Sequence, residues 1–444
     1  MRTIEKIVQS PTAPLRQDVI WIDTSDPSSP VVKIYVNGEW KPASDEASEI
    51  EILQNEIDII KERILSLEKP LIFEAVDELE LCFITTDNQH NRNIEYSTDL
   101  INWVKTASQS MHTSIQPFIR LVPGEKVYIR GHNSSYAKNE ASFCFFAANG
   151  KKIKIGGNLS GLVMNQENSL SAHPFIKIFN GLNLIIDKSF DITIYNTTSR
   201  ELYSRLFSDS KLQDASNIVI DNFTVDRAER SCSYMFYGCN ELVIPPTIIN
   251  TICTKECFRG MFQYCNNLKI APALPATTLA SYCYDGMFSD CRSLTEAPEL
   301  PATILSEYCY NGMFMNCSSL VTAPALPAAN LMRGCYLNMF HSCKALTESP
   351  ILVANDCTPN ECYDYMFCDC TSLNKITMLG TKFPTGGGCG GCGGCGGSHG
   401  FRGWVLGVPS TGTFIKNPGI DVPDDLPYGI RGVPIGWTVQ NYSA

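Results

Sequence analysis

One dipeptide recurs along the second half of the chain with a period that leaves few folds open. Met-Phe stands at Met235, Met261, Met287, Met313, Met339 and Met366, at intervals of 26, 26, 26, 26 and 27 residues. A cysteine follows each Met by four positions (Cys239, Cys265, Cys291, Cys317, Cys343, Cys370), and all but the first are preceded by one at the same distance (Cys257, Cys283, Cys309, Cys335, Cys362). A unit this short cannot bury its own apolar side, so equivalent units must stack and shield one another from water. The period predicts a solenoid.

Within a middle copy the unit reads Leu294-Thr-Glu-Ala-Pro-Glu-Leu300-Pro301-Ala-Thr-Ile-Leu305, then Cys309-Tyr-Asn-Gly-Met313-Phe314. Its prolines disallow helix in the first segment and leave an extended arm or an edge strand. The second segment, Cys-Tyr-x-x-Met-Phe-x-x-Cys, places apolar residues at i, i+4, i+5 and i+8, the spacing of one or two helical turns facing inward. Six coils at ~4.8 Å each make a stack roughly 25 to 30 Å deep. Phe207-Ser-Asp-Ser-Lys-Leu212 and Phe179-Asn-Gly-Leu182 read as weaker, older copies upstream. Cysteines in adjacent coils would lie within disulfide reach, but a column of six has no natural pairing. The same residue in every copy signals packing rather than one activated nucleophile, so the expectation is buried, reduced thiols.

The motifs Met-Phe-x-x-Cys-x-x-Leu, Ala-Pro-x-Leu-Pro-Ala-Thr and Cys-Tyr-x-x-Met-Phe, over about Ser231 to Leu379, resemble the BspA-like leucine-rich repeats of gut Bacteroidales surface proteins and of the phages that infect them. The stretch from Gly403-Trp-Val-Leu-Gly to Gly432-Val-Pro-Ile-Gly-Trp437 is similar to the segment that closes such arrays. Ile94-Glu-Tyr-Ser-Thr-Asp99 with Trp103, and Gly124-Glu-Lys-Val-Tyr-Ile-Arg-Gly131, are similar to the β-domain that often precedes them. The resemblance implies a surface-recognition module in a fibre protein of a Bacteroides-infecting, crAss-like phage, with no catalytic residues to carry over.

Upstream the pattern changes. From Glu46 to Glu68 there is no Gly or Pro, and Pro70 follows as a stop. Ile50, Leu53, Ile57, Ile60, Ile64 and Leu67 keep the 3,4 spacing of a coiled-coil seam, and Glu56 with Lys61 and Arg63 with Glu68 would pair across a parallel homomer. Ile52 and Ile59 widen the apolar sector, which favours three helices over two. Ahead of it, Val19-Ile-Trp-Ile-Asp-Thr24 and Lys33-Ile-Tyr-Val-Asn-Gly-Glu-Trp40 read as two strands, similar to the attachment segments of phage fibres. Between Leu71 and Arg130, short strands recur at roughly ten-residue spacing, as in an antiparallel sandwich.

Length at roughly 150 residues per domain allows about three units. The expected class is mixed α+β and multidomain, divided into a virion attachment segment at 1–44, a coiled coil at 45–69, a β-sandwich-like domain at 70–160, a leucine-rich-repeat-like solenoid at 161–380 with regular copies from about 231, a Gly/Cys-rich loop at 381–400 and a C-terminal cap at 401–444. A formal charge of −11 repels phosphate backbones, so nucleic acid is an unexpected partner. No apolar run reaches the ~18 residues of a membrane span, and residues 1–23 lack an uninterrupted apolar stretch of the signal-peptide kind.

Candidate chemistry is sparse. Cys389, Cys392, Cys395 and His399 have C-x2-C-x2-C-x3-H spacing that could surround zinc or an iron-sulfur cluster, although glycine this dense offers ligands little support. Asp421, Asp424 and Asp425 could bind calcium but lack further ligands nearby. No hydrolase, P-loop or zinc-protease motif occurs, so no enzyme and no cofactor are expected. The expected role is a homotrimeric virion fibre, on the head rather than the tail because 444 residues make a short appendage. Its N-terminus would meet a capsid or tail protein, and its repeats a glycan or protein on the host surface or in mucus. The alternative is a bacterial BspA-like surface adhesin.

Overall fold

The computed structural model describes residues 6–10, 19–23, 31–36, 39–42, 70–85, 93–110, 115–131, 137–138, 141–147, 150–162, 175, 177–192, 201–220, 229–355, 361–381, 401–421 and 432–443. The seam residues Ile50, Leu53, Ile57, Ile60, Ile64 and Leu67 lie outside them. The chain divides into one unit at Met1–Lys69 and a second at Pro70–Ala444. In the first, strands Lys6–Ser10, Val19–Asp23, Val31–Val36 and Glu39–Pro42 form a sheet in chain order, the first pair parallel and the others antiparallel.

The class is almost wholly β, which corrects the expected mixed α+β architecture with a coiled coil. Helix among the described residues amounts to one 3-10 turn, Leu159–Leu162. Two sheets open the second unit. One carries Leu71–Ala75 between Lys126–Gly131 and Lys152–Gly157, and the other pairs Leu79–Thr85 with Ala141–Ala147. Alternation along Leu71-Ile-Phe-Glu-Ala75 buries every second residue, as a sheet with one covered face requires. Phe73 and Phe83 meet Phe145 between the sheets, with ring centroids 4.9 and 5.2 Å apart.

From there the chain winds into a β-solenoid of about ten turns. Phe145, Phe179, Phe207, Phe236, Phe262, Phe288, Phe314, Phe340, Phe367 and Trp404 form one axial column of rings. In its regular part the centroids are 5.3 to 5.7 Å apart and the planes within 11° of parallel. A second column runs through Phe258, Tyr284, Tyr310, Tyr336, Tyr363 and Phe401. Both columns, the Met of every copy and the repeated cysteines are buried in one continuous core.

The segment expected to be helical is where sequence and structure part. In the coil at 282–291 the N–H groups of Cys283, Asp285, Met287, Ser289 and Cys291 each donate to the carbonyl three residues back. Those of Tyr282, Tyr284, Gly286, Phe288 and Asp290 donate instead to Glu307, Cys309, Asn311, Met313 and Met315 of the next coil. A left-handed residue recurs every fourth position, at Tyr282, Gly286 and Asp290 (φ 58°, 61° and 61°). Successive four-residue turns therefore reproduce the i, i+4, i+5, i+8 spacing of a helix, while half of the donors are free to join the coils.

The repeated thiols complete this ladder. Cys265, Cys291, Cys317 and Cys343 donate their S–H to the carbonyls of Phe236, Phe262, Phe288 and Phe314, one coil back, at 3.1 to 3.2 Å. Each of those carbonyls already accepts a turn bond from its own coil, so the thiol fills the second lone pair. The proline arms, short of N–H groups, manage only isolated parallel bridges such as Ile252 to Thr278 to Ile304. Toward the C-terminus, where the paired segments hold only Pro350, Glu348–Leu352, Lys375–Met378, Thr413–Lys416 and Thr438–Asn441 form a parallel sheet, with a register shift at that proline.

Two glycines separate backbone strain from packing. Gly312 and Gly334 both have φ 56–58°, but a Cβ on Gly312 meets only Met315 Cβ at 3.9 Å, whereas one on Gly334 lies 2.3 Å from the Tyr308 ring. Gly312→Ala should cost ~1 kcal/mol from the left-handed backbone alone. Gly334→Ala must also displace Tyr308 from its stack on Tyr282 (4.9 Å) and from Glu361, so thermal melts should show at least twice the drop in Tm. Equal drops would contradict this packing.

Candidate functional site

Left-handed residues recurring every fourth position build ridges along the turn face of the solenoid. The middle ridge runs Tyr234, Gly260, Gly286, Gly312, Asn338 and Tyr365. Over Gly260 lies the Tyr234 ring, which would meet a Cβ there at 2.2 Å. Over Gly286 and Gly312 nothing lies closer than 3.9 Å, so the ridge is interrupted for two successive coils. The gap is a groove of about 180 Å³ whose walls include Tyr234, Arg259, Gln263, Asp285, Ser289 and Asn311.

Arg259, Asp285 and Asn311 occupy equivalent positions of three consecutive coils. Asp285 accepts from Arg259 Nε and from Asn311 Nδ2, each at 2.8 Å. Burial raises the Asp285 pKa and the Arg259 charge opposes that rise. Arg259 also meets Glu256 at 3.1 Å, and its guanidinium lies 5.8 Å from the Tyr282 ring centre. Asn311 Oδ1 is buried without a hydrogen-bond partner. Planar groups with donors and acceptors side by side, against a tyrosine wall, suit the vicinal hydroxyls and apolar face of a sugar. Sequence reasoning missed this triad because Arg, Asp and Asn differ at a position where only the flanking apolar residues repeat. The available signal was polar variation at one fixed phase of the period.

Among the described residues, sixteen cysteines are buried. Burial pushes most of their pKa values up, Cys239 and Cys309 to about 12, which together with their complete enclosure makes those two poor nucleophiles and poor metal ligands. Cys253 is the exception. Hydrogen bonds with Cys257, Cys283 and the Tyr284 hydroxyl, the last at 3.4 Å, lower its pKa. Cys389, Cys392, Cys395 and His399 lie outside the described residues, as do Asp424 and Asp425; Asp421 is described and exposed. The described residues therefore test neither of these ligand sets.

No family model, curated protein or solved structure matches the chain. The BspA-like resemblance therefore rests on its motifs alone.

Two measurements check these assignments. In a variant with Cys357, Cys389, Cys392 and Cys395 changed to Ser, a thiol reagent should titrate at most Cys253 within minutes under native conditions and sixteen thiols in denaturant. Rapid native labelling of several would contradict the buried columns. Asp364 supplies the second. Burial raises its pKa to about 6, opposed by a bond from the Arg402 N–H at 2.8 Å. In the unfolded chain the value is about 3.9. The folded state therefore holds this proton more tightly, and the resulting stability is full below pH ~3.9 and lost as pH rises through about 6. Asp364→Asn should gain Tm relative to the native chain between pH 4 and 7; a constant difference across that range would refute the shift.

Proposed function

We propose that this chain is a non-catalytic recognition scaffold, a virion fibre that presents the groove at Arg259, Asp285 and Asn311 to a glycan on the host surface or in mucus. The observation that carries this reading is the interruption of the middle ridge at Gly286 and Gly312. There the ridge gives way to a polar pocket walled by tyrosine and planar side chains. The buried thiol columns support a passive role, since raised pKa values suit packing and hydrogen bonding rather than chemistry. The N-terminal sheet supports docking or self-association, a homotrimer on a capsid or tail protein in this reading, because four short strands below ~45 residues bury little core alone.

Glycan-array binding of the purified chain, followed by titration of the best ligand, tests the proposal. Asn311→Ala and Asp285→Asn should each weaken binding at least about tenfold, since a buried polar group left unpaired costs ~1–3 kcal/mol. Each change also disturbs a bond of the buried Asp285 and lowers the Tm, so binding is measured well below the melt of each variant. Absence of glycan binding, or binding indifferent to both changes, would overturn the assignment of the groove. Mass spectrometry of purified particles tests the carrier: detection only in bacterial envelopes would replace the virion fibre with a surface adhesin.

A further inference from the structure

The residue after each Met-Phe pair forms its own column, reading Tyr237, Gln263, Ser289, Met315, His341 and Cys368. It borders the groove in its middle coils and varies in every copy, so the core does not dictate its chemistry. In the last two copies it brings two metal-binding residue types onto adjacent coils, whose Phe340 and Phe367 rings are 5.7 Å apart. One position further on stands Asp369. A nitrogen of His341, the sulfur of Cys368 and a carboxylate oxygen of Asp369 all lie within 4.8 Å of one another, and His341 Nε2 is 3.6 Å from Asp369 Oδ2.

We propose that His341, Cys368 and Asp369 bind a divalent, borderline-soft cation of the zinc class, clipping one coil to the next at the C-terminal end of the regular repeats. Bond lengths of about 2.3 Å to sulfur and about 2.0 Å to nitrogen and oxygen place tetrahedral ligands roughly 3.3 to 3.6 Å apart. Side-chain shifts of about 1 Å therefore close the set. The donors match the cation: imidazole, one thiolate and one carboxylate suit zinc or cobalt better than magnesium or calcium, which prefer oxygen alone. Access is open on one side only. Cys368 is 5% exposed, while the His341 and Asp369 side chains are 29% and 53% exposed, so an ion can enter from solvent and meet the thiol beneath. A fourth position is left for water.

The aspartate has a seat of its own. Gly407 (φ 78°) lies against it, and a Cβ there would come within 2.4 Å of Asp369 Oδ1. The same pairing recurs at Asp209 and Gly238, where Asn180 and Ser208 stand in place of the histidine and the cysteine and Asn180 Nδ2 donates to Ser208 Oγ and Asp209 Oδ2 at 3.0 Å. Asp209 is thus an internal control: carboxylate and glycine alone are structural, and the donors on the neighbouring positions make the site.

Cobalt(II) titration of the full chain tests this, in a background with Cys389, Cys392 and Cys395 changed to Ser so that the glycine-rich tract contributes no thiol. The expected result is one cobalt per chain, with a thiolate-to-cobalt charge-transfer band, displaced by zinc. Cys368→Ser should abolish the band, and His341→Gln and Asp369→Asn should each weaken binding at least about tenfold. Zinc should raise the Tm of the background protein and leave that of Cys368→Ser unchanged. No binding at micromolar cobalt, a band that survives Cys368→Ser, or full affinity in His341→Gln would each overturn the site. A band surviving Cys368→Ser would place the metal at another thiol group such as Cys253 and its neighbours. None of these readouts depends on glycan binding.

Discussion

The fold depends on how each turn segment divides its backbone donors. A helix would commit every N–H to its own coil and leave neighbouring coils to associate through side chains alone. Here alternate N–H groups close local turns and the others cross to the next coil, so each rung is bonded internally and externally by the same stretch of backbone. That division needs a left-handed residue at every fourth position. Several of those positions carry Tyr, Asp, Asn or Glu rather than glycine. A non-glycine residue there costs of order 1 kcal/mol, a strain that stacked rings and inter-coil bonds must offset.

Side chains then finish what the backbone begins. Phenylalanine and tyrosine columns exclude water from the inter-coil bonds, and a thiol in each copy donates to a carbonyl that already serves one turn. Serine at that position would be more polar, and alanine would leave the lone pair empty. Cysteine is small, largely apolar and still a weak donor, which suits a site sealed from solvent.

Much of this was legible. Met235 to Met366 announced stacked coils, and Pro298 and Pro301 announced arms without regular pairing. The turn segments were misread because i, i+4, i+5, i+8 is common to a helix and to repeated four-residue turns; only the φ angles of residues such as Tyr282 and Asp290 separate them, and a tyrosine gives no signal of a left-handed backbone by type. The groove escaped notice for a different reason. Arg259, Asp285 and Asn311 share a phase but not an identity, and a search for recurring residues passes over the positions where a repeat protein varies. His341 and Cys368 were hidden in the same way, by a separation that becomes adjacency only when one coil is laid on another.

The inter-coil backbone bonds of the turn segments all run in one sense, from the N–H of one coil to the carbonyl of the following one, and the thiols donate in the opposite sense. Each regular rung consequently has an unlike top and bottom, and every top fits every bottom. Gain or loss of a whole unit would preserve that match, whereas a partial unit would break it. Overall length is thus an adjustable dimension of this architecture, open to recombination between copies, while the orientation and phase of each rung are not.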